Sequence, residues 1–166
     1  TASAIDSLGA TVSESIEVII SNRLPSPPTV SLSPTPARTT DDITVSYGGS
    51  TDADGDTITY QVQWYKNSLL TILTAGNVSS METTVGEVWT VRVTPNDGFS
   101  NGAYSEESIE ISNSDPSVDS IAVSPSTATI DDVLTCTATA SDADQALAIE
   151  YTWNIGALEY SGSSLD

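Results

Sequence analysis

Residues 57–64 have the sequence TITYQVQW, in which apolar and polar side chains alternate. Alternation is the pattern of a β-strand covered on one face, because successive side chains in a strand point to opposite sides. The same pattern recurs at 30–33, 43–47, 89–94 and 109–111. Turn-forming Gly, Pro, Asn and Asp residues separate these segments, and no window has a helical period. The sequence therefore predicts an all-β fold made of antiparallel β-sandwiches.

The chain also contains an internal repeat of about 91 residues. Residues 6–50 align with 97–141, and residues 52–64 align with 142–153 after small changes of offset. Matched turn residues occur in the same order in both copies. A repeat of this length is too long for a solenoid unit and close to the roughly 100 residues of a β-sandwich.

The repeat predicts three units. Residues 1–22 are expected to be the closing strands of a preceding unit, 23–113 a complete unit, and 114–166 the N-terminal half of a further unit. The Asn-x-x-Pro stretches at 22–25 and 113–116 form the joints, and their prolines favour extended, stiff chain. A half sandwich exposes unpaired strand edges. We therefore expect either that the chain is part of a longer protein or that another chain completes its ends.

Several motifs resemble those of a known class of repeats. Residues 50–64, with the sequence STDADGDTITYQVQW, resemble the Asp-rich turn and Tyr/Trp strand of PKD and related bacterial immunoglobulin-like repeats. Residues 93–98 and 113–116 are similar to the end of such a unit and its link to the next. PKD units typically follow the Trp with an Asp-Gly-rich motif, whereas residues 65–67 and 154–156 read YKN and NIG here.

The resemblance is therefore to tandem bacterial or archaeal immunoglobulin-like surface-protein repeats, PKD-like or cadherin-like. It implies one complete and two partial immunoglobulin-like antiparallel β-sandwiches in tandem, on an extracellular or cell-surface protein.

Charge excludes several classes of partner. The chain has 166 residues, with 23 acidic and four basic side chains, no histidine and a formal net charge of −19. So acidic a surface repels phosphate, which argues against nucleic acid and anionic membranes as partners. No apolar run approaches the roughly 18 residues that span a bilayer, so no membrane insertion is predicted.

The best candidate for a metal site is the Asp-rich turn. Asp52, Asp54 and Asp56 place three carboxylates within five residues. Carboxylates packed so closely repel one another unless a cation lies between them, and Ca²⁺ prefers such oxygen ligands. An EF-hand does not fit, because Thr57 and Gln63 occupy the positions of its Gly and Glu. The alternative is an ordinary solvated turn.

Two further sets of acids are candidate calcium ligands. Asp142 and Asp144 repeat the positions of the first two ligands. Resemblance to cadherin-like repeats implies a second kind of site at the joint, where Asp97, Asp115 and Asp119 would join acids of the neighbouring unit. The alternative for these acids is again a solvated loop.

Catalytic equipment is nearly absent from the sequence. Histidine, the commonest general base, does not occur, and Lys66 is the one lysine. No nucleophile elbow, phosphate-binding glycine loop or zinc motif occurs either. We therefore expect that the protein is not an enzyme.

Two single features have a structural and a functional interpretation. Cys136 is aligned with Val45 on a predicted strand, where it would be a small buried hydrophobe. Immunoglobulin domains place a core cysteine on this strand, so resemblance offers half of an inter-sheet disulfide as the alternative. Residues 77–79 read NVS, a sequence that permits N-glycosylation.

Three functions are compatible with these features. The first is a structural repeat of a long extracellular protein, such as a stalk, adhesin or surface filament, rigidified by calcium and in contact with surface glycans or proteins. The second is a head-to-tail filament, in which residues 1–22 of one chain complete 114–166 of the next. The third is a carbohydrate-binding accessory module of a secreted enzyme, with Tyr65, Phe99 and Tyr104 as stacking residues.

Overall fold

The computed structural model describes residues 1–74 and 76–165. Ala75, part of a turn that the following Gly76 and Asn77 predict, lies outside the described residues, as does Asp166 at the end of the predicted third unit. Over the described part of the chain, no helix is long and apolar enough to cross a membrane.

The described residues form fifteen β-strands and one short 3₁₀ helix, Ser80–Glu82. In chain order the strands are β1 (Ala2–Ile5), β2 (Thr11–Glu14), β3 (Thr29–Ser33), β4 (Ala37–Arg38), β5 (Ile43–Gly48), β6 (Thr59–Lys66), β7 (Leu69–Leu70), β8 (Asn77–Val78), β9 (Val88–Asn96), β10 (Ser105–Ser112), β11 (Ser117–Ser124), β12 (Leu134–Ser141), β13 (Thr152–Ile155), β14 (Leu158–Ser161) and β15 (Ser164–Leu165).

Residues 29–112 form two sheets. One has five strands in the order β4-β10-β9-β6-β7, and the other has three in the order β3-β5-β8. Strand β10 pairs in parallel with β4, where Ile111 lies opposite Ala37. The other neighbouring strands of both sheets are antiparallel.

The two sheets share one apolar core, as in a β-sandwich. The five-stranded sheet contributes Trp64 and Trp89, whose rings meet edge to face with centroids 6.5 Å apart. The three-stranded sheet contributes Ile43 and Val78, and none of these four side chains is more than 2% exposed. Burial of apolar surface therefore holds the sheets together. The other members of the core are Ala37, Val62, Val91, Val93, Ile109 and Ile111.

The predicted all-β architecture with antiparallel sheets is confirmed. In strand β6, Val62 and Trp64 are buried and Gln61 is exposed, as the alternation in the sequence predicts. The strand begins at Thr59 rather than at residue 57, because Thr59 pairs with Asn96, the residue where the partner strand β9 ends.

The pairing registers of these sheets recur elsewhere in the chain. Strands β11 and β12 repeat the register of β3 and β5, strands β13 and β14 repeat that of β6 and β7, and the hairpin β1–β2 repeats that of β9 and β10. Matched pairs are Leu32–Val45 with Val123–Cys136, Lys66–Leu69 with Ile155–Leu158, and Val93–Ser105 with Ala2–Glu14. The internal repeat of the sequence thus has a counterpart in strand pairing.

The recurring strands differ in burial from their central counterparts. Trp64 is fully buried, whereas Trp153, its match in the repeat, is only half-buried. Ile121 and Val123 on β11 are 70% and 45% exposed. In the N-terminal part, residues 15–22 lie outside any strand, and Ile20 is 89% exposed.

Candidate metal centre at the joint

The Asp-rich turn folds around the Asp52 carboxylate. Its Oδ1 accepts hydrogen bonds from the backbone N–H groups of Asp54 at 2.8 Å and Asp56 at 3.3 Å. Such local bonds are the reason that Asp favours turns. They bring the three carboxylates together, with one oxygen from each within 4.8 Å of the others. The grouping predicted from the sequence is therefore present in the structure.

The turn is tied to the joint at residues 22–23. The Asp54 carboxylate accepts the backbone N–H of Arg23 at 2.7 Å. Beside it, Asp97 Oδ2 accepts a hydrogen bond from the Asn22 side-chain amide at 2.8 Å. Two loops that are distant in sequence thus hold the two residues at which the N-terminal segment meets the central sheets.

Asp97 is more deeply buried than the acids of the turn. It is only 4% exposed, and its Oδ1 accepts the backbone N–H groups of Phe99 and Ser100, both at 2.7 Å. The hydrogen bond from Asn22, followed by those from the Ser100 and Phe99 backbone, lowers the pKa of Asp97 below its ordinary value. These hydrogen bonds therefore favour the ionised form of Asp97 and orient its carboxylate.

Asp56 has the opposite electrostatic environment. Loss of solvent, and then the negative charges of Asp52, Asp97 and Asp54, raise the pKa of the Asp56 carboxyl. The charges act in this direction because like charges disfavour ionisation. Four carboxylates thus repel one another at the joint, and a cation among them would reverse that effect.

One carboxylate oxygen of the Asp-rich turn is left without a hydrogen bond. Asp52 Oδ2 is buried and has no hydrogen-bond partner. A buried acceptor without a partner is costly, whereas Ca²⁺ takes six to eight oxygen ligands and readily accepts carboxylates. A groove of about 410 Å³ lies beside this cluster, lined by Ile20, Ser21, Asn22, Asp54, Asp56 and Phe99.

The same hydrogen-bond pattern occurs at the second joint. Asp142 Oδ1 accepts the backbone N–H groups of Asp144 and Gln145, and Asp144 Oδ2 accepts that of Ser114 at 2.6 Å. Asp142 Oδ2 is again buried without a partner. The third carboxylate is missing here, because Ala146 occupies the position that matches Asp56.

The other two predicted joint acids, Asp115 and Asp119, have partners within the chain. Asp115 forms an ion pair with Arg38, with 2.9 Å between Oδ2 and Nη1, and Arg38 also donates to the Asn113 carbonyl at 3.1 Å. Asp119 accepts hydrogen bonds from the hydroxyls of Ser117 and Ser141. Both acids thus lie near the second joint or on strand β11, and both have partners within the chain.

Sequence reasoning missed two residues of the first joint. The sequence indicates Asn22 only as part of a joint motif and Phe99 only as a candidate sugar-stacking residue. Asn22 and Asp97 are 75 positions apart, so no local feature of the sequence indicates their contact. Phe99, 76% exposed, lines the groove of the Asp cluster.

The remaining candidate aromatics cluster around an arginine. The Arg92 guanidinium lies 5.0 Å from the Tyr65 ring centroid and 4.2 Å from that of Tyr104. Its Nε also donates to Glu106 at 2.8 Å. Part of each tyrosine ring is therefore occupied by a cation–π contact, which leaves less of its face for a sugar.

The structure also places the single lysine, the single cysteine and the glycosylation sequence. The Lys66 ammonium is 2.7 Å from Glu87 Oε1 and 5.3 Å from the Trp89 ring centroid, so it belongs to a local charge network. Cys136 is buried, as expected for a small hydrophobe. Asn77 of the glycosylation sequence is exposed on strand β8.

Comparison with known proteins adds no assignment to this geometry: no protein-family model, curated protein or solved structure matches the chain.

Proposed function

We propose that the chain is a non-catalytic structural segment of a long extracellular or cell-surface protein, such as a stalk, adhesin or surface filament. In this proposal it consists of tandem immunoglobulin-like sandwiches, PKD-like or cadherin-like, with calcium bound at the joints. The proposal rests on a hydrogen bond from the backbone to a carboxylate that occurs at both joints. Arg23 N–H to Asp54 and Ser114 N–H to Asp144 are the same contact made twice, each beside a buried carboxylate oxygen without a partner.

Calcium would act on the orientation of neighbouring units. Asp52, Asp54 and Asp56 would hold the ion at the first joint, with Asp97 adjacent. When bound, the ion supplies positive charge that offsets the repulsion among these carboxylates. Asp54 already bonds the backbone at Arg23, and Asp97 bonds Asn22, so ordering of the acids also orders the joint between units.

The second joint offers fewer ligands than the first. Asp142 and Asp144 supply two carboxylates, and Ala146 supplies none where Asp56 would stand. Affinity for calcium depends on the number and charge of the ligands. We therefore propose a tighter site at the first joint and a weaker one at the second.

Thermal melting during a calcium titration tests the proposal. Calcium should raise the melting temperature of the wild-type protein, because a ligand that binds only the folded state stabilises it. Asp52→Asn should reduce this increase strongly. Asp131→Asn is the matched control, since it removes the same charge from an exposed position away from the cluster. An equal response in all three proteins, or no response in any, would reject calcium binding at the joint.

A further inference from the structure

The glycosylation sequence Asn77-Val78-Ser79 lies in the central sheets and is not used by the proposed function. Attachment of an N-linked glycan requires an asparagine followed, two positions later, by Ser or Thr, with any residue except proline between them. None of the other asparagines in the chain has Ser or Thr at that position. The sequence therefore offers a single acceptor of this kind.

The fold directs the Asn77 side chain to solvent. Asn77 and Val78 form strand β8, in which successive side chains point to opposite faces. Val78 is 1% exposed and belongs to the core, so Asn77 lies on the outer face of the three-stranded sheet, where it is exposed. A Cβ added at the preceding Gly76 would meet nothing within 4 Å. The space beside Asn77 is thus open to a large group.

Asn77 also differs from most asparagines of the chain in its hydrogen bonding. Several other asparagine side chains form hydrogen bonds that support the fold. They are Asn22, Asn67, Asn96, Asn101 and Asn113. In the part of the chain that the structure describes, the Asn77 side chain forms none. A sugar on its Nδ2 therefore displaces no hydrogen bond of the fold, whereas a sugar on Asn22 would displace the bond to Asp97.

The outer face around Asn77 carries hydroxyl groups. Thr44 lies directly opposite Asn77 in the pairing of β5 with β8. The exposed residues that share this face on β3 and β5 are Thr29, Ser31, Ser33, Thr44 and Ser46. Hydroxyl groups donate and accept hydrogen bonds. The first sugar of a glycan at Asn77 thus has polar, uncharged neighbours on these strands.

Strand β8 is an edge that the sequence leaves without the usual protection. It is the last strand in the order β3-β5-β8, so one of its sides has no partner strand among the described residues. Proteins commonly protect such edges with proline or charged side chains. Edge strand β3 lies between Pro28 and Pro34, and edge strand β4 directly follows Pro36. Residues 67–81, which contain β8, include neither proline nor a charged side chain.

We propose that Asn77 is an N-glycan attachment site and that its glycan shields the free edge of β8. The donor is an oligosaccharide on a lipid diphosphate carrier. In the transfer, Asn77 Nδ2 forms a bond to the anomeric carbon of the sugar, and the bond between that carbon and the phosphate oxygen breaks. The nitrogen loses one proton, and the lipid diphosphate leaves. The inference rests on the proposed function only for the extracellular location.

Intact-mass measurement of the full chain, secreted from a eukaryotic host, tests the attachment. The wild type should carry one glycan, and peptide N-glycosidase should release it and convert Asn77 to Asp. Asn77→Gln and Ser79→Ala should lose the glycan, whereas Ser79→Thr should retain it because the hydroxyl remains. Asn154→Gln changes an exposed asparagine outside such a sequence and should also retain it. Wild-type protein secreted without a glycan, or a glycan that persists in Asn77→Gln, would overturn the attachment site.

The effect of the glycan on the fold and on the β8 edge is measured on the same proteins. The glycosylated wild type should melt no lower than Asn77→Gln, because the glycan displaces no hydrogen bond. In high salt, which screens the acidic surfaces, sedimentation should show that Asn77→Gln associates at severalfold lower protein concentration than the glycosylated wild type. A lower melting temperature of the glycosylated protein, or equal sedimentation of the two, would overturn the shielding role.

These measurements are made in a calcium chelator, so their outcome does not depend on the joints. Calcium-dependent melting of Asn77→Gln, measured separately, reports on the proposed function alone. Absence of the glycan therefore leaves calcium binding untouched, and absence of calcium binding leaves the glycan site untouched.

Discussion

At the scale of single residues, the Asp56 carboxylate is the group whose ionisation the joint opposes. Loss of solvent and the charges of Asp52 and Asp97 raise its pKa. For an acid, a raised pKa in the folded state means that the ionised form destabilises folding above that pKa. The destabilisation disappears as the pH falls through it. A cation at the joint would remove the same unfavourable contribution at neutral pH.

Asp56→Asn should therefore have opposite effects with and without calcium. In a chelator at neutral pH the variant should melt at a higher temperature than the wild type, because one repelling charge is gone. Calcium should raise the melting temperature of the variant by less than it raises that of the wild type, because one ligand is weakened. Differential scanning calorimetry measures both, with Asp131→Asn as the control for net charge. A variant less stable than the wild type in chelator would contradict the electrostatic account of this cluster.

The contribution of Asp97 to stability depends on pH in the opposite direction. Its pKa is lowered, first by the hydrogen bond from Asn22. The stability it contributes is present above its ordinary pKa of 3.8 and is lost as the pH falls through the lower, folded value.

Asn22→Ala should raise the pKa of Asp97 towards 3.8, because it removes the largest of these effects. Carboxyl-carbon NMR titration measures that pKa directly. Asn154→Ala, at an exposed position on strand β13, is the control and should leave it unchanged. An unchanged pKa in Asn22→Ala would show that this hydrogen bond does not form in solution.

At the scale of elements, burial distinguishes the two matched tryptophans. Trp64 on β6 is fully buried between the two sheets, whereas Trp153 on β13 is half-buried and donates its Nε1–H to the Gly162 carbonyl at 2.9 Å. Removal of a buried Trp side chain costs about 3–5 kcal/mol through lost burial and the cavity left behind.

Trp64→Ala should therefore reduce the free energy of unfolding by about 3–5 kcal/mol. Trp153→Ala should cost well under half of that, because much of its ring already contacts water. Chemical denaturation of the two variants provides the comparison. Equal costs would mean that Trp153 is as deeply buried as Trp64 in solution.

The segment before β3 is held against the loop after β9 at Gly102. A Cβ at this position would overlap the Pro25 carbonyl oxygen and crowd the Pro95 ring. The approach of the first joint to the central sheets thus requires glycine here.

Gly102→Ala should destabilise the protein by about 1–3 kcal/mol, the usual cost of forcing extra volume into a packed site. Gly76→Ala is the control, because a Cβ there meets nothing within 4 Å. It should change stability by at most about 0.5 kcal/mol. Thermal or chemical denaturation of both variants is sufficient. A neutral Gly102→Ala would mean that Pro25 is free to move away.

The elements also show what could be predicted from the sequence. Period-two alternation predicts strand β6 and its buried face, because successive side chains of a strand point alternately to the core and to the solvent. Asp52, Asp54 and Asp56 could be grouped because they are close in sequence. The Asn22–Asp97 contact and the Arg38–Asp115 ion pair could not, since both join residues 75 or more positions apart. Such pairs depend on how the sheets fold over one another.

At the scale of the whole molecule, the net charge of −19 opposes both folding and association. Monovalent salt screens exposed charges and should raise the melting temperature gradually, at tens to hundreds of millimolar. A site-bound divalent cation should act at far lower concentration and should saturate. The two effects are thus separable in one titration.

Equilibrium dialysis against calcium in a constant background of monovalent salt measures binding at the first joint without any assumption about stability. We expect saturable binding by the wild type and by Asp131→Asn, with binding strongly weakened in Asp52→Asn. Wild-type protein that binds no calcium, or Asp52→Asn that binds it as tightly as the wild type, would rule out a calcium site at the Asp-rich turn.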